Sequence, residues 1–511
     1  MMQQVSQNYA PYTDVRKVEL SFVFGVVAPE AAALAQPASS AQSVVSQIGN
    51  TTDDVEEMSG KYTSLENNMF ILDGTMELYD TGDTQTGWQS ADISQNDKAF
   101  SSEPWLQFTF SEPQDSYGFT LIFDNTQPDN YPSEIITTAY NAAGGVIGTV
   151  TTQPSGFLHV IDLAVQEYGS VKFEFVGTNI PGRRIRVCGV RFGINYSYDG
   201  STIVSVSVRQ SVSPWCESLP SAEVDATIDN TDQLYNMVNP TGLYAYLQDG
   251  QYMTWKIDVN GEAVDMGLAY FTSADSEDGS MTTKITFNDR LLVMDDMEYN
   301  GGTSGTWTLQ AAIAAILSAS GTGTTATFEG SLGSTVIGKQ IPQGTSIRES
   351  IRLCAQAAMC TCYMDRTNTL HFFTPSVGTP SDEWTLDVQS EMPQIKVGKL
   401  YNTVILTVSD GYTEGAESQV FTAQNIVPGD FERAYEVSNP VVNDGNAVAQ
   451  WILGWVERRV TYDTAIRGNP ALDLLDTVQI NDAYGVNGNA LITELNYTYD
   501  GGLDCDATAI R

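Results

Sequence analysis

Apolar residues recur at every second position through most of this chain. Val18, Leu20, Phe22, Phe24 and Val26 alternate with less apolar neighbours, the period of a half-buried strand. The pattern returns at Tyr117, Phe119, Leu121 and Phe123, at Val171, Phe173 and Phe175, and at Val224, Ala226 and Ile228. Late in the chain it marks Val404, Leu406 and Val408, then Leu491, Thr493, Leu495 and Tyr497. Gly, Asn, Asp and Pro clusters separate these runs, as turns require. No βαβ rhythm accompanies them, which disfavours a parallel sheet.

Three segments change to the helical period. Leu309, Ala312, Ile313, Ile316 and Leu317 form a single apolar stripe. Ser346, with Glu349 three residues on, forms a capping box ahead of Ile347, Ile351, Cys354, Ala355 and Ala358. Asp444 is placed to cap a helix that buries Val448, Trp451, Ile452 and Trp455. The Ala- and Ser-rich run from Pro29 to Gln47 reads as partly helical, interrupted by Pro37.

These elements predict a mainly β, multidomain chain. Residues 1–50 hold one strand and a small-residue connector, and residues 51–198 a dense run of strands. Residues 199–300 form a second β segment, 301–376 a small α/β domain, and 377–511 a last β domain with one long helix. No internal repeat of fixed period is present.

Composition narrows the functional classes. The 511 residues include 63 acidic and 24 basic side chains, a net charge of −39. Such a field repels nucleic acid and anionic membranes, so direct nucleic-acid binding on the outer surface is not expected. The acidity reads first as a solvated surface, and alternatively as an electronegative lumen past which DNA slides. No apolar run is long enough for a membrane span, and no secretory leader is visible at the start. The cysteines Cys188, Cys216, Cys354, Cys360, Cys362 and Cys505 are too scattered for a disulfide framework. Cys360 and Cys362 lack the spacing and second pair of a zinc knuckle, and read as buried thiols on a helix end and the following strand.

Candidate catalytic chemistry is sparse. His159 and His371 lie in apolar strand-like contexts and read as structural. No nucleophile elbow, zincin, P-loop or dinucleotide fingerprint occurs, so no catalytic residue, cofactor or metal site is assigned. A pair of carboxylates suited to glycoside hydrolysis arises too easily by coincidence among so many acids. Asp73, Asp80, Asp83 and Asp92 fall in a Gly- and Asp-rich region attractive to a hard cation, but they fit no EF-hand and read more simply as turn or solvated acids.

Two resemblances extend this picture. The run Leu72-Asp73-Gly74, Gly87-Trp88-Gln89-Ser90, Pro104 to Phe108, the strand Gly118 to Asp124, Tyr131-Pro132, Val171 to Phe175 and Arg184 to Val187 resembles discoidin-like β-sandwich modules, a group of sugar- and surface-binding domains. The resemblance makes Trp88, Tyr131 and Asp83 candidate ligand contacts, since aromatic rings suit sugar faces. The alternative is that Trp88 and Tyr131 are core residues or turn anchors. The basic cluster Arg183, Arg184, Arg186 and Arg191 reads either as pairing with acids at an interface or as a solvated face.

The second resemblance covers nearly the whole chain. Val5-Ser6-Gln7 to Arg16, Lys61-Tyr62 to Glu66-Asn67, and Arg191-Phe192-Gly193-Ile194 resemble tail proteins from phages of Gram-positive bacteria. Ala226 to Asn230, Asp232, Tyr235, Asn239-Pro240 and Tyr246-Leu247 are similar to the first β domain of tail hub proteins. Asn439-Pro440, the helix around Trp451, Gly468-Asn469-Pro470, Asp476-Thr477-Val478 and Gly501-Gly502-Leu503 resemble the last hub domain. This implies hub-type β-barrel domains with the sandwich inserted into the first, and a trimer that mimics a sixfold ring. The implied partners are the tail tube, distal tail proteins and the tape measure protein, with a host-surface glycan for the module. The implied location is the virion, after assembly in the host bacterial cytoplasm. Unlike the longest family members, the chain stops soon after the last hub domain, so cell-wall hydrolysis is not expected of it. A free carbohydrate-binding adhesion protein is the alternative.

Overall fold

The computed structural model describes residues 3–28, 30–53, 66, 86–125, 129–409, 418–481 and 488–511. Strands hold 46% of residues and helices 12%, so the chain is mainly β. It divides into two compact units. One comprises Met1–Val23, Ser197–Gln233 and Tyr252–Arg511, and the other Phe24–Tyr196 with Leu234–Gln251.

The first unit is built on one long sheet. Of its thirteen strands, the main run comprises β1 (Val18–Val27, shared with the other unit), β2 (Ile203–Ser211), β3 (Ser221–Asp229), β4 (Tyr252–Val259), β5 (Glu262–Asp275), β6 (Thr282–Asn288), β7 (Gln394–Val397), β8 (Val460–Arg467), β9 (Gly488–Tyr499) and β10 (Leu503–Ile510). They lie in the order β1-β4-β5-β6-β3-β2-β9-β10-β8-β7. The strands before and after the α/β part join where β2 meets β9, in register from Val206 opposite Tyr499 to Ser211 opposite Glu494. Alternation buries Val206 and Val208 on β2 and Leu495, Tyr497 and Tyr499 on β9, so one ladder carries apolar burial across the join.

Besides the single turn Arg290–Val293, three longer helices among the described residues pack in this unit: α1 (Leu309–Ser320), α2 (Ile347–Ala357) and α3 (Gly445–Val456). The side chains of Thr308, Ser346 and Asp444 cap them, accepting from the backbone N–H of Ala311, Glu349 and Ala447. The stripe Leu309, Ala312, Ile313, Ile316 and Leu317 is fully inside, whereas Trp451 on α3 is only half-buried. Short parallel pairs do occur, as between Thr325–Phe328 and Thr369–Phe373, which the alternation pattern did not anticipate. Cys216, Cys354, Cys360 and Cys362 share one apolar core with the helices. Burial pushes the Cys216 thiol up to about 11 and raises the other three well above the usual thiol range. These thiols should therefore stay unreactive toward a thiol reagent at pH 8 and react only as the unit unfolds. Rapid labelling of the native protein at any of the four would contradict this.

Two polar devices hold this unit together. The hairpin turn Asp365–Asn368 reaches both β parts through Arg366. Its guanidinium donates to the carbonyls of Asp265 at 2.6 Å and Pro470 at 2.8 Å, and pairs with Asp473 at 2.9 Å. Gly267 (φ +88°) faces the turn, and a Cβ there would lie 2.8 Å from the Arg366 Cα, so only glycine permits the approach. The chain start is the second device. Tyr9 donates to Asn469 at 2.9 Å, and Arg467 donates to the Thr13 carbonyl at 3.1 Å. On the other side, Asn260 donates to the Ala10 carbonyl at 3.1 Å.

The second unit is a β-sandwich. One sheet orders Trp88–Gln89, Arg186–Arg191, Phe119–Phe123 and Leu158–Ile161; the other orders Ala35–Ser39, Trp105–Ser116, Val165–Thr178, Pro132–Asn141 and Val146–Thr152. Inward rings and aliphatics, including Phe108, Phe119, Phe123, Phe173, Phe175 and Val187, fill the space between them. The Ala- and Ser-rich run read as partly helical forms only one turn, Ala31–Leu34, and then an edge strand. Pro37 sits in that edge strand, where its missing N–H leaves no interior ladder broken.

Candidate functional site

Of the candidate contacts, Trp88 and Tyr131 are described, and they take different positions in the sandwich. Trp88 is fully buried, its ring stacked on Phe175 with centroids 5.5 Å apart. Its strand pairs with Arg186–Arg191, Trp88 opposite Val187. Gly87 makes this possible: at φ +58° a Cβ would meet the Val187 carbonyl at 2.2 Å. Trp88 is therefore a core anchor, with no ring face offered to a ligand.

Tyr131 has a different position. It follows Asp129, at φ +57°, and the buried Asn130, on the loop leading into Pro132–Asn141. Its ring is half-buried and meets Phe157 edge to face at 5.6 Å, and its carbonyl accepts from the Asn179 N–H at 3.2 Å. The packed edge fixes the ring while part of it stays in solvent. Asp83 lies outside the described residues, as do Asp73 and Asp80, and Asp92 is exposed.

Within the chain the basic cluster is largely buried rather than a solvated face, and Arg186 pairs with acids of the same chain. Arg186 is 3% exposed and pairs with Asp124 at 3.0 Å and with Glu66, both as deeply buried. Arg184 donates from its backbone to Glu66 at 2.7 Å and from its guanidinium to the carbonyls of Ser90, at 3.0 Å, and Ala91. Arg183 is buried beside them, its backbone N–H donating to the Ser94 hydroxyl at 3.1 Å, but its Nε and Nη1 meet no acceptor. Desolvation lowers its pKa, and the nearby Glu66 opposes that shift. The sandwich loops thus hold a braced cation with unused donors and, on a separate loop, a fixed aromatic ring. The orphaned Arg183 donors are enclosed, so of these groups the part-exposed Tyr131 ring is the one placed to meet a ligand. Neither Arg183 nor its orphaned donors were distinguishable in sequence from the other arginines of the cluster.

Both histidines have hydrogen-bond partners within the chain. His159 bonds the Thr152 hydroxyl at 2.8 Å, and desolvation lowers its pKa. His371 is bracketed by Thr327 and Asp365, both at 2.7 Å, and stacks on Tyr363. Among the described residues, no group of three or more His, Cys, Asp or Glu could hold a metal ion, and no helix is long and apolar enough to cross a membrane.

No family model matches the sequence, and no curated protein is similar to it. Solved structures do match. The 43 kDa tail protein of prophage MuSo2 from Shewanella oneidensis is 14% identical with a TM-score of 0.45, over 62% of this chain and 96% of that one. The tail protein from Neisseria meningitidis MC58 is 12% identical with a TM-score of 0.43, over 62% and 94%. The family 32 carbohydrate-binding module of C. perfringens NanJ, solved with galactose, is 6% identical with a TM-score of 0.22, over 34% of this chain and 99% of the module.

Proposed function

We infer that this chain is a structural component of a bacteriophage tail tip, a hub that joins the tail tube to distal tail and host-recognition parts, and that it has no catalytic role. The observation that carries this reading is the single sheet through the first unit, in which β2 and β9 zip the early and late β parts into one backbone-paired wall. A continuous hydrogen-bonded wall, locked by Arg366 and by the chain start, suits a load-bearing ring position. Of the motifs similar to hub domains, Ala226 to Asn230, Gly468-Asn469-Pro470, Asp476-Thr477-Val478 and Gly501-Gly502-Leu503 fall in this unit, whereas Tyr235, Asn239-Pro240 and Tyr246-Leu247 fall in the other. On this reading three copies close around the tail axis in the virion, after assembly in the host cytoplasm. They meet the tail tube, the distal tail proteins and the tape measure protein. Light scattering of the purified protein at several concentrations tests closure: a mass three times the subunit supports it, and a monomer that stays single with the tube protein present counts against it. Antibody detection of the chain in purified particles separates this reading from that of a free adhesion protein.

The sandwich, on the same reading, faces outward and binds a host-surface glycan. Tyr131, fixed against Phe157 yet part-exposed, is the observation that favours this. Tyr131→Ala should weaken binding of purified host cell-wall polysaccharide at least about tenfold, the scale of a lost aromatic anchor. Unchanged binding would leave the module a buttress.

A further inference from the structure

We propose that β7 (Gln394–Val397) and the adjoining Phe431 loop form the surface on which a second copy of this chain docks. The inference rests on the hub reading, because it names the face by which copies meet.

The strand β7 ends the sheet order. It pairs with β8 on one side, Gln394 opposite Asp463 to Val397 opposite Val460, and among the described residues no strand pairs with its other edge. All four of its residues are exposed, with Val397 at 62% and Ile395 at 49%. An open edge with exposed β-branched side chains is a template for another strand, and Lys396, the charge that would guard this edge, is tied back onto Asp463. The patch continues beyond the strand. Three residues past Lys399, Asn402 donates its side-chain amide to the Phe431 carbonyl at 3.2 Å, and the Phe431 ring is 86% exposed. Ile426 and Val427, in the same loop, are exposed as well.

Charge selects the occupant. From Pro393 to Leu400 the chain carries Lys396 and Lys399 and no acid. The Gly398 N–H donates to the Arg459 carbonyl at 2.7 Å, which places exposed Arg459 alongside. Lys396 pairs back onto Asp463, leaving Lys399 and Arg459 facing solvent. The rest of the chain is overwhelmingly acidic, at −39 net. The Phe431 loop adds exposed Asp430, Glu432 and Arg433, so the basic part of the surface is its Lys399 and Arg459 end, which is complementary to the acidic remainder of another copy.

The test is the mass of the full chain by light scattering over a concentration series, with thermal unfolding as the folding control. Val397→Asp and Lys399→Glu should each weaken self-association at least about tenfold, leaving thermal unfolding unchanged. Val146→Asp, an equally exposed apolar site on the sandwich edge, should leave the mass unaltered. An oligomer that survives both β7 variants overturns the proposal and leaves the hub reading standing. If Val397→Asp also loses cooperative unfolding, Lys399→Glu decides, since that side chain lies in solvent beyond the strand. A wild-type chain that is monomeric at every concentration overturns both the docking face and unaided ring closure.

Discussion

Replacing Arg186 with methionine should cost the sandwich about 3–5 kcal/mol, the scale for removing one partner of a buried ion pair. The guanidinium lies between Asp124, at 3.0 Å, and Glu66, and the side chains of all three are at most 2% exposed. The hydrophobic area of the side chain is not the main term. Methionine nearly preserves the stem, but it leaves two carboxylates enclosed without their cation. Glu66 also accepts the Arg184 backbone N–H, and Arg184 braces the carbonyls of Ser90 and Ala91, so the loss spreads into the loops that carry the candidate ligand groups. Urea unfolding of the full chain, followed by a probe on the sandwich, measures it. Arg183→Met is the comparison, because two donors of that equally buried side chain have no acceptor, and its loss should be smaller. Replacing Asp124 and Glu66 as well, with leucine and methionine, should recover part of the stability by removing the stranded charges. A stability within about 0.5 kcal/mol of wild type for Arg186→Met would sink this account, since that is the range of an ordinary surface substitution.

What the sequence could and could not show follows from the range of each interaction. Alternation and capping are local, so the strand through Phe22 and Phe24, the Ser346 cap and the α1 stripe were all legible. The tail-protein and discoidin-like motifs were legible as ordered fragments. Pro37 misled because its meaning depends on whether the strand is at an edge, which only the partner Trp105–Ser116 decides. The arginine cluster misled for a related reason. Alternation says which side of a strand a residue takes, but Glu66 and Asp124 approach Arg186 from 120 and 62 positions away. Trp88 and Tyr131 both read as aromatic loop residues, and only the packing of Phe175 and Phe157 tells an anchor from a rim ring. Exposure of an edge is likewise a property of sheet order. Nothing in the sequence marks Gln394–Val397 as an edge, which appears only when β8 is found on one side of it alone.

Arg366→Ala should have the second largest effect, a loss of about 3 kcal/mol or more confined to the unit built on the long sheet. The side chain sits in a turn and is flanked in sequence by Asp365 and Thr367, so nothing local marks it as structural. Yet the guanidinium is 13% exposed and satisfies the carbonyls of Asp265 and Pro470 together with Asp473. Removing it strands the Pro470 carbonyl and the Asp473 carboxylate, while the exposed Asp265 carbonyl can turn to water, and each unsatisfied buried group costs about 1–3 kcal/mol. Arg366→Lys tests geometry against charge. A single ammonium cannot span acceptors on both β parts as a planar fork does, so lysine should restore the Asp473 pairing and little else. Asp473→Asn should cost less than Arg366→Ala, because the two carbonyls keep their donor. The double variant should fall short of the sum, as expected for residues in direct contact. Differential scanning calorimetry can follow the transition of this unit, with the sandwich transition as an internal reference. If Arg366→Ala and Arg366→Lys melt alike and close to wild type, the turn is a passive loop, and the join between the early and late β parts rests on the β2–β9 ladder alone.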